Sequence, residues 1–403
     1  MSSKTREYRA GKIFNKFLKI IGRIYFGIIF DYEIDNRQLS RIKPPYVVLA
    51  NHTNFWDPFL VSMCIPEPVH FVTSDAYFRN PILKQLLKLV GAIPKTKNTA
   101  DTMSIRSILD VVKRKGVIGI FPEGRRSWDG KTLPIIYSTA KLIKHLNIPV
   151  VSVTLKGACL SMPRWASSTR RGRLNMSLST LLSSEQVNSL STSEIYSIIS
   201  TGLSYDEYEN QRQSMNIYKG KNLAEKLELF LFICPHCFSI SSLFSDGNKL
   251  SCTCGYRVIY NEAGFFEAPD SMLYFDNPRD WNTWQLNQLK YRLASYQSAG
   301  NEQLLEEMGV DLLTGNKNGP LKKAESNGEL RLYKDRLEYC LSGQQLYLFK
   351  LEAISGENVQ FNNQLEFIYE GSIFRFNHQN GLMSAYKWVK AVEAAKNLNL
   401  VTV

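Results

Sequence analysis

Asn51-His52-Thr53-Asn54-Phe55-Trp56-Asp57 is a stretch of this chain suited to proton transfer. An imidazole takes up a proton near neutral pH, and a carboxylate on its second nitrogen fixes the tautomer and steadies the charged form. His52 and Asp57 supply that pair five positions apart, directly after the apolar run Tyr46–Ala50. A second turn, Phe121-Pro122-Glu123-Gly124-Arg125-Arg126-Ser127, also follows an apolar run, 117–121. Its proline and glycine force a change of direction, and its guanidiniums hold phosphate bidentately with a charge that persists at any working pH. A third group is Cys234-Pro235-His236-Cys237 with Cys252-Thr253-Cys254-Gly255, in which four thiols come in two close pairs.

These residues need elements to position them. The runs 46–50 and 117–121 are rich in β-branched and apolar residues and read as buried strands, with further strands over 69–73 and 149–155. Helical spacing fills the intervals at 58–65, 102–115 and 139–146. Another helix starts at Asn80-Pro81, an N-cap with proline at the first helical position, and ends at Gly91. Strand and helix alternate, so the N-terminal half is expected to be α/β around a largely parallel sheet. Open sheets of that kind bind ligands beyond the carboxyl ends of their strands, where both turns fall.

In that order along the chain, Asn51-His52-x4-Asp57 followed by Phe-Pro-Glu-Gly-x-Arg-Ser resembles the glycerolipid acyltransferase family, typified by lysophosphatidic acid acyltransferases. Two further blocks extend the resemblance over roughly residues 10–225. Gly91-Ala92-Ile93-Pro94-Lys95-Thr96-Lys97 resembles the block that usually ends in a phosphate-contacting arginine, and Ile148-Pro149-Val150-Val151-Ser152-Val153 resembles the apolar block after the third motif. The resemblance implies that His52 removes a proton from an acceptor hydroxyl, which attacks an acyl thioester, while Asp57 orients the imidazole. It implies that Lys97, Glu123, Gly124, Arg125 and Arg126 form the acceptor-binding set. Two departures bear on the acceptor's headgroup. Lys97 stands for arginine, keeping the charge without the planar fork, and Arg125 stands for the usual threonine. No covalent acyl-enzyme is expected, because neither motif supplies a nucleophile and Cys64 sits in an apolar run.

The implied reaction moves a fatty acyl group from acyl-CoA or acyl-carrier protein to a lysophospholipid, with 1-acylglycerol 3-phosphate as the leading acceptor. Another lysolipid acceptor stays open, as does a catalytically inactive, membrane-docked scaffold. Against the scaffold, His52, Asp57, Glu123 and Arg126 are all present together.

Residues 12–30 read as a basic amphipathic helix. Phe14, Phe17, Leu18, Ile21, Ile24, Tyr25 and Ile28 follow one side, and Lys12, Lys16, Lys19 and Arg23 the other. Such a helix lies in a lipid interface with its lysines toward anionic headgroups. The net charge of +12 agrees, and half of the excess falls in the first 23 residues. Nucleic acid is not the expected partner, since there is no base-stacking motif or recognition helix. Without a convincing signal peptide or a spanning apolar stretch, the expectation is a cytoplasmic protein, peripheral on the cytoplasmic face of a membrane.

Cys234, Cys237, Cys252 and Cys254, with an Asp246-Gly247-Asn248 turn between the pairs, resemble a zinc ribbon holding structural zinc. Farther on, helical spacing continues over 281–297 and 302–308. Alternating apolar residues over 328–396 then lead to an aromatic helix at 384–397. That tail resembles a pleckstrin-homology-like β domain. The expected organisation is an acyltransferase domain over 1–226, a zinc ribbon over 227–268, a helical linker over 269–326 and the small β-rich domain over 327–403.

Overall fold

The structure is a computed structural model and describes residues 11–95, 102–295, 302–316 and 319–401. The chain forms two compact units. The first holds nearly all of the chain up to Lys221, and the second nearly all that follows.

The first unit opens with α1 (Lys12–Ile29) and β1 (Asp31–Asp35) and continues with β2 (Tyr46–Ala50), α2 (Asp57–Cys64), β3 (Val69–Ser74) and α3 (Pro81–Leu89). Next come β4 (Ile93–Lys95), α4 (Thr102–Lys113), β5 (Val117–Ile120), α5 (Tyr137–Leu146), β6 (Val150–Lys156), α6 (Ala158–Ser161) and β7 (Arg173–Leu182). Helices α7 (Ser184–Ser189), α8 (Thr192–Gly202) and α9 (Glu207–Ser214) complete it. The strands make one sheet in the order β1-β7-β6-β2-β5-β3-β4. Strands β6, β2, β5, β3 and β4 run parallel, as the alternation of strands and helices predicts, while β7 is antiparallel to β6 and carries β1 alongside it.

Both sheet faces are covered, so β2 is buried along its whole length. One face packs Phe26 of α1 with Leu60 and Met63 of α2, and the other packs Ile108 of α4 with Ala140 and Ile143 of α5. Strand β7 begins at the end of the cluster Arg170, Arg171 and Arg173, in a polar, serine-rich stretch without a strand signal of its own. Leu174, Met176 and Leu178 point into the core from β7, and Arg170 is buried beside its start.

Helix α1 forms where expected, but its cations do not all face outward. Lys19 Nζ donates to the carbonyls of Ile65, Pro66 and Glu67 at 2.7, 3.0 and 2.7 Å, and burial brings this ammonium down to about 8. Arg23 reaches the Met63 carbonyl. These two cations fasten the helix to the end of α2, so they are not free for headgroups as their positions on the helical wheel imply. The exposed side carries Ile13, Phe17, Ile20, Ile24 and Ile28.

The second unit contains a small antiparallel sheet of β8 (Leu243–Asp246), β9 (Lys249–Cys252), β10 (Arg257–Tyr260) and β11 (Phe266–Glu267), followed by α10 (Pro278–Ser295). A seven-stranded antiparallel sheet comes next: β12 (Leu305–Asn316), β13 (Lys322–Leu332), β14 (Arg336–Leu341), β15 (Gln344–Lys350), β16 (Ser355–Gln360), β17 (Gln364–Tyr369) and β18 (Ser372–His378), ordered β15-β14-β13-β12-β18-β17-β16. Helix α11 (Ala385–Val401) ends the unit and buries Trp388, Val389 and Val392.

The helix expected over 302–308 is instead the beginning of β12, so 269–326 is not a helical linker throughout. Glutamate, leucine and methionine favour helix locally, but Leu305 pairs with Leu332 and is buried, and tertiary packing overrides the local preference.

Candidate active site and thiol cluster

Strands β2 and β5 are neighbours, and the turns that follow them meet at their carboxyl ends. Asp57 starts α2, with Pro58 in the first helical turn. His52 Nδ1 lies 2.8 Å from Asp57 Oδ2, and the same oxygen accepts the amides of Thr53 and Asn54 at 2.6 and 2.9 Å. The carboxylate therefore holds both the ring and the turn that carries it. With Nδ1 engaged, Nε2 is the nitrogen left to exchange a proton. The ring also stacks on Phe121 with centroids 4.1 Å apart. Burial lowers the imidazole's affinity for a proton, as do the charges of Arg126 and Arg164, against the upward pull of Asp57.

Glu123 is buried, and its carboxylate bridges the two turns. The His52 amide donates to Oε1 and the Leu133 amide to Oε2, both at 2.7 Å. Burial pushes this carboxyl up to about 8, against the pull of those two donors. Its position is fixed by these two backbone donors. The Ser127 amide closes the arrangement by donating to the His52 carbonyl at 2.8 Å. Gly124 stands at φ +69°, and a Cβ there would lie 2.5 Å from Ile136, so the turn admits glycine on both counts. Arg125 is exposed, whereas Arg126 is half-buried and near enough for its charge to act on His52. Lys97 lies outside the described residues; Lys95, which ends β4, is exposed. Cys64 is buried in α2, donates to the Leu60 carbonyl and is pushed up to about 12 by burial, in keeping with a core role.

Three further residues support the site, and of these only Asn51 is marked by its place in the first motif. Asn51 braces the turn against β6, exchanging hydrogen bonds with both the carbonyl and the amide of Leu155 at 3.1 and 2.8 Å. Arg164 Nη1 donates to the Arg126 carbonyl at 3.0 Å while its guanidinium lies 4.6 Å over the Trp128 ring. Glu207, fully buried, accepts the amides of Gly157 and Cys159 and the Tyr205 hydroxyl, and its own amide donates to the Gly130 carbonyl. The turn it holds includes the Ala158 carbonyl, which accepts Asn54 Nδ2 at 3.0 Å. Within 206–212 Glu207 resembles any acid in the first turn of a polar helix, and only Asp206 as an N-cap marks the place.

Replacing Glu207 with Ala strands two buried amide donors, each costing about 1–3 kcal/mol when unpartnered, and the part-buried Tyr205 hydroxyl. Calorimetry is expected to show a lowered midpoint for the first unit, with Glu207→Gln falling between that variant and wild type. An unchanged midpoint in Glu207→Ala would remove this bracing role.

Residues 31–156 match the family model described as Acyltransferase. That segment is an acyltransferase domain. It contains β2, both turns and β6, and ends just short of the Gly157 turn. The chain is 25% identical over 155 residues to the chloroplastic 1-acyl-sn-glycerol-3-phosphate acyltransferase BAT2 of Brassica napus, covering 37% of this chain and 45% of that one. It is 26% identical over 163 residues to a 1-acyl-sn-glycerol-3-phosphate acyltransferase of Cocos nucifera, covering 40% and 51%. A Bacillus subtilis protein of the same description is 21% identical over 141 residues, covering 35% and 68%. The chain thus spans about half the length of the plant relatives it matches. Among solved structures, the 1-acyl-sn-glycerophosphate acyltransferase PlsC of Thermotoga maritima aligns with a TM-score of 0.43 at 16% identity, over 50% of this chain and 79% of that one.

In the second unit the four expected cysteines come together. Their sulfurs all lie within 4.8 Å of one another, with Cys234 and Cys254 3.8 Å apart and Cys237 and Cys252 3.7 Å apart. His236 is not in the cluster: its Nδ1 lies 3.0 Å from the Tyr274 hydroxyl.

Proposed function

We propose that this chain is an O-acyltransferase that moves a fatty acyl group from an acyl thioester, acyl-CoA or acyl-carrier protein, to the free hydroxyl of a lysophospholipid, with 1-acylglycerol 3-phosphate as the acceptor. The observation that carries the reading is the His52–Asp57 contact between the β2 and β5 turns, inside the segment that matches the acyltransferase family. The relatives' description as 1-acyl-sn-glycerol-3-phosphate acyltransferases supports the choice of acceptor.

His52 Nε2 takes the acceptor's hydroxyl proton as its oxygen attacks the thioester carbonyl. The tetrahedral intermediate collapses with cleavage of the carbon–sulfur bond, and the departing thiolate recovers the proton from His52. Asp57 holds the ring throughout and steadies the imidazolium. Arg126, with Arg125 beside it, and Lys97 bind the acceptor's phosphate, while Glu123 and Gly124 shape the turn that presents the two arginines. An assay with lysophosphatidic acid, other lysophospholipids and glycerol 3-phosphate, each with both donor types, tests the reading. Consumption of lysophosphatidic acid above the others is expected, and no consumption of any acceptor would overturn it.

The base works only when neutral, and the buried imidazole holds its proton less tightly than the ordinary histidine value of about 6.5. The acid limb of kcat/KM is therefore expected below that value, with activity retained as pH falls to it. A limb above pH 7 would contradict His52 as the base.

No described helix is long and apolar enough to cross a membrane. The exposed line of isoleucines and Phe17 on α1 supports an interfacial helix, and with it our reading of a peripheral protein on the cytoplasmic face, where acyl thioesters are supplied. Helix α1 meets the catalytic turn through Phe26 and Tyr25, each 5.6 Å from the Trp56 ring, which brings acceptors drawn from the lipid surface close to His52.

The cysteine cluster is assigned structural zinc. A tetrahedral zinc with bonds of about 2.3 Å to sulfur requires sulfur–sulfur edges of about 3.8 Å. Cys234, Cys237, Cys252 and Cys254 would hold it, leaving no position for water. The seven-stranded sheet and α11 are assigned as a pleckstrin-homology-like module, which the strand order and the closing helix support.

A further inference from the structure

The turn after β5 is held by a residue from outside the matched segment. Arg164 follows α6, beyond residue 156 where the family match ends. Its Nη1 donates to the Arg126 carbonyl at 3.0 Å, and its guanidinium carbon lies 4.6 Å from the centre of the Trp128 ring. One side chain thus grips residues 126 and 128, on either side of Ser127. A guanidinium can do both at once, because its edge carries the donors while its face stacks on an indole. Arg164 and Trp128 are both buried, so the pair is placed to support the turn rather than to receive a ligand from solvent.

The carbonyl that Arg164 holds belongs to the peptide between Arg126 and Ser127. The amide of that same peptide donates to the His52 carbonyl at 2.8 Å. A peptide unit is planar, so fixing its oxygen fixes the direction of its N–H. Arg164, the 126–127 peptide and the His52 backbone therefore form one hydrogen-bonded line, and the bonds of such a line polarise one another. The first turn is tied to the same part of the chain a second time, through Asn54 Nδ2 on the Ala158 carbonyl at the start of α6. The groups facing the His52 ring are Asp57 from α2, Arg126 from the β5 turn and Arg164, with Phe121 stacked on it and the Glu123 carboxyl on its backbone amide. Both arginines oppose protonation of the ring, and Asp57 favours it.

We propose that Arg164 is a positioning residue for the acyl transfer, which fixes the Arg126–Ser127 peptide and through it both the root of the Arg126 side chain and the seat of His52. Its charge, which persists at any working pH, belongs to the same role. The inference rests on the reading of His52 as the base and Arg126 as a phosphate ligand, and adds to it a residue from beyond the matched domain. Two consequences separate this role from that of a brace for folding alone. Without the hydrogen bond the 126–127 peptide is free to turn, which misplaces the base against the acceptor hydroxyl, and a displacement of about 1 Å costs up to about 10²-fold in rate. Without the charge the imidazole holds its proton more tightly, so the acid limb of kcat/KM moves to higher pH.

The test compares Arg164→Met, Arg164→Gln and Arg164→Lys with wild type and His52→Ala in the full chain, with thermal melts to establish that each folds. Methionine removes donor and charge, glutamine keeps a donor without charge, and lysine keeps charge and a donor without the planar fork. Kinetics with lysophosphatidic acid and an acyl-CoA across pH are read beside an NMR titration of the His52 imidazole, assigned by its loss in His52→Ala. Arg164→Met is expected to lower kcat about ten- to hundredfold. It is also expected to raise the imidazole titration and the acid limb by about half a unit. Arg164→Gln should show the same rise with a smaller loss of kcat, and Arg164→Lys should leave titration and limb in place. A folded Arg164→Met with wild-type kcat overturns the proposal, as does one whose His52 titration is unmoved. If Arg164→Met does not fold, an unmoved titration in Arg164→Gln overturns it instead. Equal turnover by wild type and His52→Ala would remove the underlying reading of the base. An active wild type, an inactive His52→Ala and an unchanged Arg164→Met would remove Arg164 alone.

Discussion

Replacing His52 with Ala is expected to lower turnover of a lysophospholipid acceptor by about 10²–10⁴-fold, the usual contribution of a positioned general base. That range corresponds to about 3–5 kcal/mol at the transition state. The loss should appear in kcat more than in KM, because the imidazole acts on the proton in flight and other groups hold the acceptor's head. Folding should survive. His52 is half-buried, and the turn around it is held through backbone by Glu123, Ser127 and the Asp57 carboxylate, none of which uses the imidazole except Asp57. The alanine variant forfeits the stack on Phe121 and leaves Asp57 with its two amide donors. Steady-state kinetics beside a thermal melt decides the matter: a folded variant with near-wild-type turnover would remove His52 from the mechanism.

Loss of the metal is expected to have the largest effect on stability. Structural zinc in small peptides contributes about 10–16 kcal/mol of apparent binding free energy at neutral pH, as much as a whole domain's usual margin of 5–15 kcal/mol. The sheet β8–β11 is short, and its buried residues Leu250, Val258 and Tyr260 make a thin core beside the thiols. The consequence should not stop at the ribbon. Ser384 Oγ donates to the Leu229 carbonyl at 2.8 Å, and Lys387 Nζ reaches Ser241 Oγ at 2.8 Å and Glu307 Oε2 at 2.9 Å. Helix α11 thus ties the segment around the ribbon to the large β sheet within the second unit. Chelation, or Cys234→Ser, is expected to lower the calorimetric transition of that unit while the transition of the first unit persists. Elemental analysis should find one zinc per chain. Zinc-free protein with an unchanged melting profile would contradict the assignment.

Much of the candidate site could be read from the sequence because its members are close along the chain. His52 and Asp57 are separated by one tight turn, and a strand of unbroken apolar residues leads into it. Gly124 marks its turn through a backbone angle, and the cysteine pairs declare themselves by spacing. The strand–helix alternation likewise follows from short-range periodicity, which captures the parallel strands β2, β3, β5 and β6 but not the three-residue β4.

Periodicity could not place β7, whose alternating leucines and methionine lie among serines and arginines that read as loop. Nor could it rescue 302–308 from its helix-favouring composition, because the pairing of Leu305 with Leu332 outweighs local preference. Lys19 shows the same limit on a single side chain: the helical wheel assigns it to solvent, and the Ile65–Glu67 carbonyls draw it inward.

The sequence by itself determined which residues are candidates for the chemistry, since base, orienting carboxylate, basic turn and thiols are properties of residue type and near spacing. Only the tertiary structure decided how they are held. Glu123 clamps the backbone of His52 to that of Leu133, and Glu207 reaches from beyond the matched domain to the Gly157 turn. The His52 and Gly157 amides are each satisfied by a carboxyl group from a distant part of the chain. Such an amide has no side chain to mark it in the sequence, so which acid it meets is settled only when the strands and turns come together.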